Sequence, residues 1–212
     1  MGVSADEVKK LREMSGAPMM ECKKALEEAG GDLDQAFTVL RKRGQAAAAK
    51  KAGRAASEGL VGTYVHPGAK IAVMVELNCE SDFVARNPEF QQLAHDLAMH
   101  VCATDPKFIR KGDVAPAILE REKSILREQA AASGKPAAVI EKMVEGRLGK
   151  FYEENCLYEQ HFIKDAAGSQ TIAELIDSKI AKFGENITVR RYARFKVGEA
   201  PASAAAENGS AS

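Results

Sequence analysis

From Lys70 to Cys79 apolar and polar positions alternate with a period of two. Ile71, Val73, Val75, Leu77 and Cys79 share one face; Ala72, Met74, Glu76 and Asn78 share the other. That spacing predicts a half-buried β-strand. A shorter strand is expected before it, from about Leu60 to Val65. His66-Pro67-Gly68-Ala69 joins the two, with proline pre-setting one turn dihedral and glycine accommodating the next. The pair reads as an antiparallel hairpin. A third strand is expected from about Ile187 to Val197. Ile187, Val189, Ala193, Phe195 and Val197 fall on one face, interrupted by Arg191, and Arg190, Tyr192, Arg194 and Lys196 on the other. The basic face reads as solvated, and its charge blunts an exposed sheet edge.

The remaining patterns are helical. Ser4 and Glu7 have capping-box spacing ahead of Val8, Leu11 and Met14. Ser15-Gly16-Ala17 breaks that helix and Pro18 starts another, with Met19, Cys22, Ala25 and Leu26 on its apolar face. Gly30-Gly31 stops it. Asp32 caps a third helix with Leu33, Ala36, Phe37 and Leu40 inward, expected to end near Gly44. Residues 1–44 thus read as a compact three-helix bundle with a small core. Residues 45–57 read as a basic helical linker. From Arg41 to Arg54 there are six basic residues and no acidic one. The alternative for that run is a phosphate-binding patch, although no aromatics are interleaved for base stacking.

Residues 58–199 read as an α+β core, a small antiparallel sheet packed on helices. Asn87 and Pro88 open one helix, with Phe90, Leu93, Ala94, Leu97 and Val101 buried. Asp113 is expected to cap another from about Ala115 to Ala132. After Ser133-Gly134-Lys135-Pro136 a partner follows with Val139, Ile140, Met143, Val144, Leu148 and Phe151 inward. These form a helical hairpin over residues 115–155. Thr171 and Glu174 repeat the capping-box spacing, Ile172, Leu175, Ile176, Ile180 and Phe183 follow as a stripe, and Gly184 stops the helix. The tail, residues 200–212, is alanine- and serine-rich and expected to be disordered.

Composition removes several function classes. The 212 residues carry 30 basic and 30 acidic side chains, without the basic excess of a strongly electrostatic nucleic-acid binder. Four cysteines stand far apart, two of them inside apolar patterns, so a reducing, cytoplasmic setting is expected rather than a disulfide framework. His95 and His100 are five apart, which splays them on a helix and disfavours a metal site. Met1-Gly2 opens like a myristoylation site, but Asp6 stands where serine or threonine is needed. No signal region and no apolar run of membrane-spanning length is present. No phosphate-binding loop, dinucleotide fingerprint or nucleophile elbow occurs. The expectation is a protein that acts by contact, not an enzyme, with no cofactor and no metal.

One stretch stands out among contacts. Glu80-Ser81-Asp82-Phe83-Val84-Ala85-Arg86 follows the most regular strand and precedes a well-signalled helix. Ser81 and Asp82 suit a turn or helix cap, while Phe83 and Val84 are apolar where a polar connection is expected. Phe83 either tucks into the core or stands exposed and inserts into a partner.

Several motifs together resemble the bacterial elongation factor Ts family. They are Leu11-Arg12-Glu13-Met14-Ser15-Gly16-Ala17, then Met20-Glu21-Cys22-Lys23-Lys24-Ala25-Leu26, Ser81-Asp82-Phe83-Val84 after Glu76-Leu77-Asn78-Cys79, and Ile140 to Arg147. Ser81 stands where the family has threonine, and Pro18 where glycine is common. The resemblance implies a ubiquitin-associated-like N-terminal bundle that rests on the G domain of elongation factor Tu. Leu11, Arg12, Met19, Met20 and Lys23 are its expected docking residues. It also implies a guanine nucleotide exchange factor in translation elongation. Ser81, Asp82, Phe83 and Val84 would enter Tu·GDP, disturb its magnesium and phosphate site and promote GDP release. Such GTPases hold nucleotide through loop amides and an octahedral Mg²⁺ that tolerates little distortion. Long family members carry two related core subdomains where this chain has one. A homodimer joined at the Ile187–Val197 edge is therefore expected; the competing reading is a monomer whose helical hairpin makes the second contact. A ubiquitin-like-binding adaptor and an RNA-binding adaptor are the alternative functions; neither membrane nor direct nucleic-acid contact is expected.

Overall fold

Ser4 opens the first helix by a reciprocal cap. Its hydroxyl accepts the Glu7 N–H at 3.2 Å while the Glu7 carboxylate accepts the Ser4 N–H at 2.8 Å. The computed structural model describes residues 3–131 and 136–199. Within them, α1 (Ala5–Ser15), α2 (Met19–Glu28) and α3 (Leu33–Lys51) form the bundle. The core follows as β1 (Glu58–Val65), β2 (Ile71–Cys79), α4 (Asp82–Ala85), α5 (Pro88–Thr104), α6 (Pro116–Ala131), α7 (Ala137–Asn155), α8 (Ile172–Phe183) and β3 (Thr188–Lys196). The architecture is the expected α+β, with one antiparallel sheet ordered β1-β2-β3. The Ser133–Pro136 break lies largely outside the described residues; Met1-Gly2 and the tail lie wholly outside.

Val8, Leu11, Cys22, Ala25, Leu26 and Ala36 are the buried heart of the bundle. Met19, expected inward, is half-exposed instead, because Cys22, Ala25 and Leu26 already fill the narrow face of α2. The third helix does not stop near Gly44. It runs on to Lys51, since Gly44 is a lone interior glycine followed by four helix-favouring alanines. Gly44 lies against α8, where an added Cβ would stand 3.7 Å from the Asp177 carbonyl carbon. Arg41 forms an ion pair with Glu174 there, and Ala48 joins the main core. The run read as a basic linker therefore begins as the last turns of a helix shared by bundle and core.

The main core lies between the sheet, α5 and α8. Val73, Val75, Leu77 and Cys79 of β2 meet Phe90, Leu93, Leu97 and Val101 of α5 and Ile172, Ile176 and Ile180 of α8. Burying each large apolar side chain stabilises by about 1.5–3 kcal/mol relative to exposure. Gly62 is required where β1 crosses α5: a Cβ there would come within 2.5 Å of the Ala94 backbone.

The third strand departs from its simple alternation. Glu76 pairs with Arg191 but Leu77 with Val189, leaving Arg190 as the extra residue of a β-bulge. One extra residue exchanges the two faces. Val189 points into the core as expected, but beyond the bulge Tyr192 packs on the core and Arg194 is nearly buried, while Phe195 and Val197 are exposed. The predicted basic face thus does not exist as a continuous stripe. The outer face of the sheet instead carries exposed Val61, Val65, Met74 and Phe195, with Glu76 and Arg191 paired at 2.6 Å among them.

Asp113 does not cap α6. It sits in a short 3₁₀ turn, Lys111–Asp113, where its carboxylate accepts the Arg110 N–H at 2.8 Å. Pro116, which needs no hydrogen bond for its missing N–H, opens α6 instead. Helices α6 and α7 form the hairpin around buried Leu126, Ala130 and Val144, with Arg127 paired to Glu141 at 2.9 Å.

Candidate partner-binding surfaces

β2 delivers the chain to a single helical turn. Ser81 has extended backbone dihedrals and caps α4, its Oγ accepting the Val84 N–H at 3.4 Å. The turn sorts its side chains. Val84 and Ala85 pack against the main core, whereas Phe83 is 81% exposed. The buried-core alternative for Phe83 is therefore excluded. The Asp82 carboxylate lies 3.0 Å from the Arg86 guanidinium, and both groups are accessible. Exposed pairs of this kind contribute only tenths of a kcal/mol, so a partner's cation can take over Asp82 at little cost. Asn87 caps α5 immediately afterwards, and Pro88 occupies its first turn. Glu89 is held by Lys182 at 2.6 Å and Lys179 at 3.5 Å. The hydrogen bond from Lys182, aided by the charge of Lys179, lowers its carboxyl below the usual range.

Sequence reasoning missed the residue beneath this turn. Glu185 follows the left-handed Gly184 that ends α8. Its carboxylate accepts the Glu80 N–H at 3.1 Å, the Ser81 N–H at 3.0 Å and the Ser81 hydroxyl. The Glu80 carboxylate in turn accepts the Asn186 N–H at 2.6 Å. Glu185 and Ser81 are 104 positions apart, so no local spacing could have joined them. The Cys79 thiol beside them is pushed up to about 11, by burial first and then by the Glu185 carboxylate. It is a packed, unreactive thiol; all four cysteines are buried and free.

The expected docking residues of the bundle divide. Arg12, Met19, Met20 and Lys23 line one open concavity together with Val8 and Lys9. Met20 is 62% exposed, and flexible thioethers set among Lys9, Arg12 and Lys23, with Asp6 also on the lining, suit an apolar ridge with mainly acidic flanks. Leu11 does not belong to this surface. It is fully buried in the bundle core, on the inner face of α1, and can only support the concavity from beneath.

Among the described residues no cluster of metal-ligating side chains occurs, and no helix is long and apolar enough to cross a membrane. His100 is buried as a neutral ring. Its Nδ1 accepts the Ile163 N–H at 3.4 Å, so Nε2 carries the proton towards Gln160 Oε1 at 3.0 Å. Burial pushes this histidine down to about 4 despite the opposing Gln160 contact.

Residues 9–199 match the family described as Elongation factor TS. The chain is 60% identical over 199 residues to Elongation factor Ts of Koribacter versatilis, covering 94% of this chain and 90% of that one. It is 57% identical over 201 residues to Elongation factor Ts of Solibacter usitatus, covering 95% and 94%. With Elongation factor Ts of Thermosipho melanesiensis identity is 56% over 197 residues, 93% of this chain and 100% of the relative.

Proposed function

The chain belongs to the elongation factor Ts family of translation elongation factors, and we propose that it acts as the guanine nucleotide exchange factor for elongation factor Tu. The observation that carries this reading is the 81% exposure of Phe83 on an anchored helical turn. An aromatic ring held in water costs the free chain burial it could otherwise have, and a partner recovers it. In the proposed complex Phe83 displaces apolar side chains of Tu near its nucleotide site. Asp82 leaves Arg86 for a polar or cationic group of Tu. Val84 seats the turn on the core, and Ser81 caps it. The concavity of Arg12, Met19, Met20 and Lys23 grips the G domain. Distortion around the Mg²⁺ of Tu then weakens its hold on the diphosphate. No bond is made or broken by this chain, so it acts as a binding protein, without cofactor, in the cytoplasm.

The experiment is release of labelled GDP from purified Tu with and without the chain. Exchange requires that the chain and GDP weaken each other's binding to Tu by the same factor. Equal affinity of the chain for nucleotide-free Tu and Tu·GDP would overturn the reading.

The partner set extends to a second copy of this chain, joined through the outer face of the sheet rather than the β3 edge. The bulge at Arg190 protects that edge, whereas Val61, Val65, Met74 and Phe195 leave the face uncovered. Glu76 and Arg191 sit within this face, so a two-fold partner offers each acid a second base.

A further inference from the structure

We propose that Glu185 is the positioning residue for the Ser81–Val84 turn, fixing the direction in which Phe83 projects; this rests on the exchange reading. Helix α4 has only four residues. A single turn does not persist alone, because helix nucleation is unfavourable. Its own cap contact, 3.4 Å from Val84 N to Ser81 Oγ, is long, and its largest side chain lies in solvent. Val84 and Ala85 seat one side of the turn on the core, and the α8–β3 connection supplies the polar support that directs its tip. The Glu185 carboxylate accepts both amides that enter the turn and also accepts a hydrogen bond from the Ser81 hydroxyl. With its hydrogen directed at Glu185, the Ser81 oxygen presents its remaining lone pairs to Val84 N–H. Glu80 closes the arrangement from the other side by accepting Asn186 N–H, with Arg54 at 3.6 Å. The Asn186 side chain donates to the Arg54 carbonyl at 2.8 Å, so the segment after α3 is tied to the same knot. The Glu185 carboxylate thus holds the amides of Glu80 and Ser81 while the Glu80 carboxylate holds the amide of Asn186, and a turn without an apolar anchor at its tip acquires a fixed orientation.

The test uses the full chain with Glu185→Ala and Glu185→Gln. Without Tu, amide hydrogen exchange at Glu80, Ser81 and Val84 is expected to speed up by about tenfold or more in Glu185→Ala, with Phe90–Val101 unchanged. With Tu, the maximal GDP-release rate at saturating chain is expected to fall by about tenfold, more than the half-saturating concentration rises. Glu185→Gln should restore most of both, since its amide oxygen can still accept the two N–H groups. If Glu185→Ala does not fold, Ser81→Ala removes one contact of the same knot and should give a smaller loss of the same kind. Unchanged amide exchange would refute the latch. Lost protection with an undiminished maximal rate would overturn the positioning role. A wild-type chain that fails to accelerate GDP release would overturn the exchange reading and the role with it, while the amide measurement still decides the latch.

Discussion

Phe83 and Val84 are adjacent in the chain and opposite in environment: Phe83 is 81% exposed, whereas Val84 packs against the core formed by β2, α5 and α8. One residue of rotation about a helical turn separates the part that holds from the part that is offered.

Phe83→Ala is accordingly expected to leave the melting temperature nearly unchanged while GDP release slows by about tenfold or more. Truncated interface anchors often cost about 2 kcal/mol. Phe90→Ala is the contrasting control: Phe90 is fully buried seven positions later, and its truncation should destabilise by about 3–5 kcal/mol. Melting curves and exchange rates on both variants check the pair.

His100 sets part of the acid limit. Its ordinary value is 6.5 and the folded chain holds it at about 4. As pH falls below 6.5 the unfolded chain gains a proton that the folded chain refuses, so stability is complete above 6.5 and is lost towards 4. The loss is on the order of 3 kcal/mol. Urea unfolding of wild type and His100→Gln between about pH 7 and pH 4 should show the wild type falling more steeply. Parallel curves would remove His100 from the account.

Phe195→Asp should separate a dimer built on the outer sheet face. It places a charge where a 66%-exposed ring now stands. Light scattering at micromolar concentration is expected to give twice the chain mass for wild type and the chain mass for the variant. A wild-type monomer with full exchange activity would remove the dimer from the mechanism.

Removing residues 1–44 should destabilise the core as well as docking on Tu. The cut takes away Arg41, which pairs with Glu174, and the Gly44 contact with α8. Each kcal/mol lost lowers the melting temperature by about 2–4 °C in a domain of this size. A truncated core that melts with the intact chain would show that the α3–α8 contact is idle.

What the sequence displays well is local. The capping boxes at Ser4 and Thr171, the Asn87-Pro88 start and the alternation of β2 are all encoded within a few neighbouring residues. What it hides depends on distant partners. The bulge at Arg190 lets both Val189 and Tyr192 face the core, which the strand's own alternation does not announce. The continuation of α3 past Gly44 is secured by α8, more than a hundred residues downstream. Leu11 falls in the apolar stripe of its helix by spacing, and only the family resemblance makes it a docking residue; α2 and α3 cover it. Glu185 carries no local signal at all, because its work is done across the fold.

Helix α3 has a mechanical consequence. Its 19 residues make a rod of ~28 Å that starts in the bundle and ends against the core. The Met19–Met20 concavity and the projecting Phe83 ring are thereby set at a ruled distance, not at the variable reach of a tether. Once one contact forms, the other arrives already aimed, and no chain entropy is lost in finding it. Under the proposed function the rod also measures the partner: a GTPase whose two receiving sites stood closer together or farther apart would engage one end of this protein and never both.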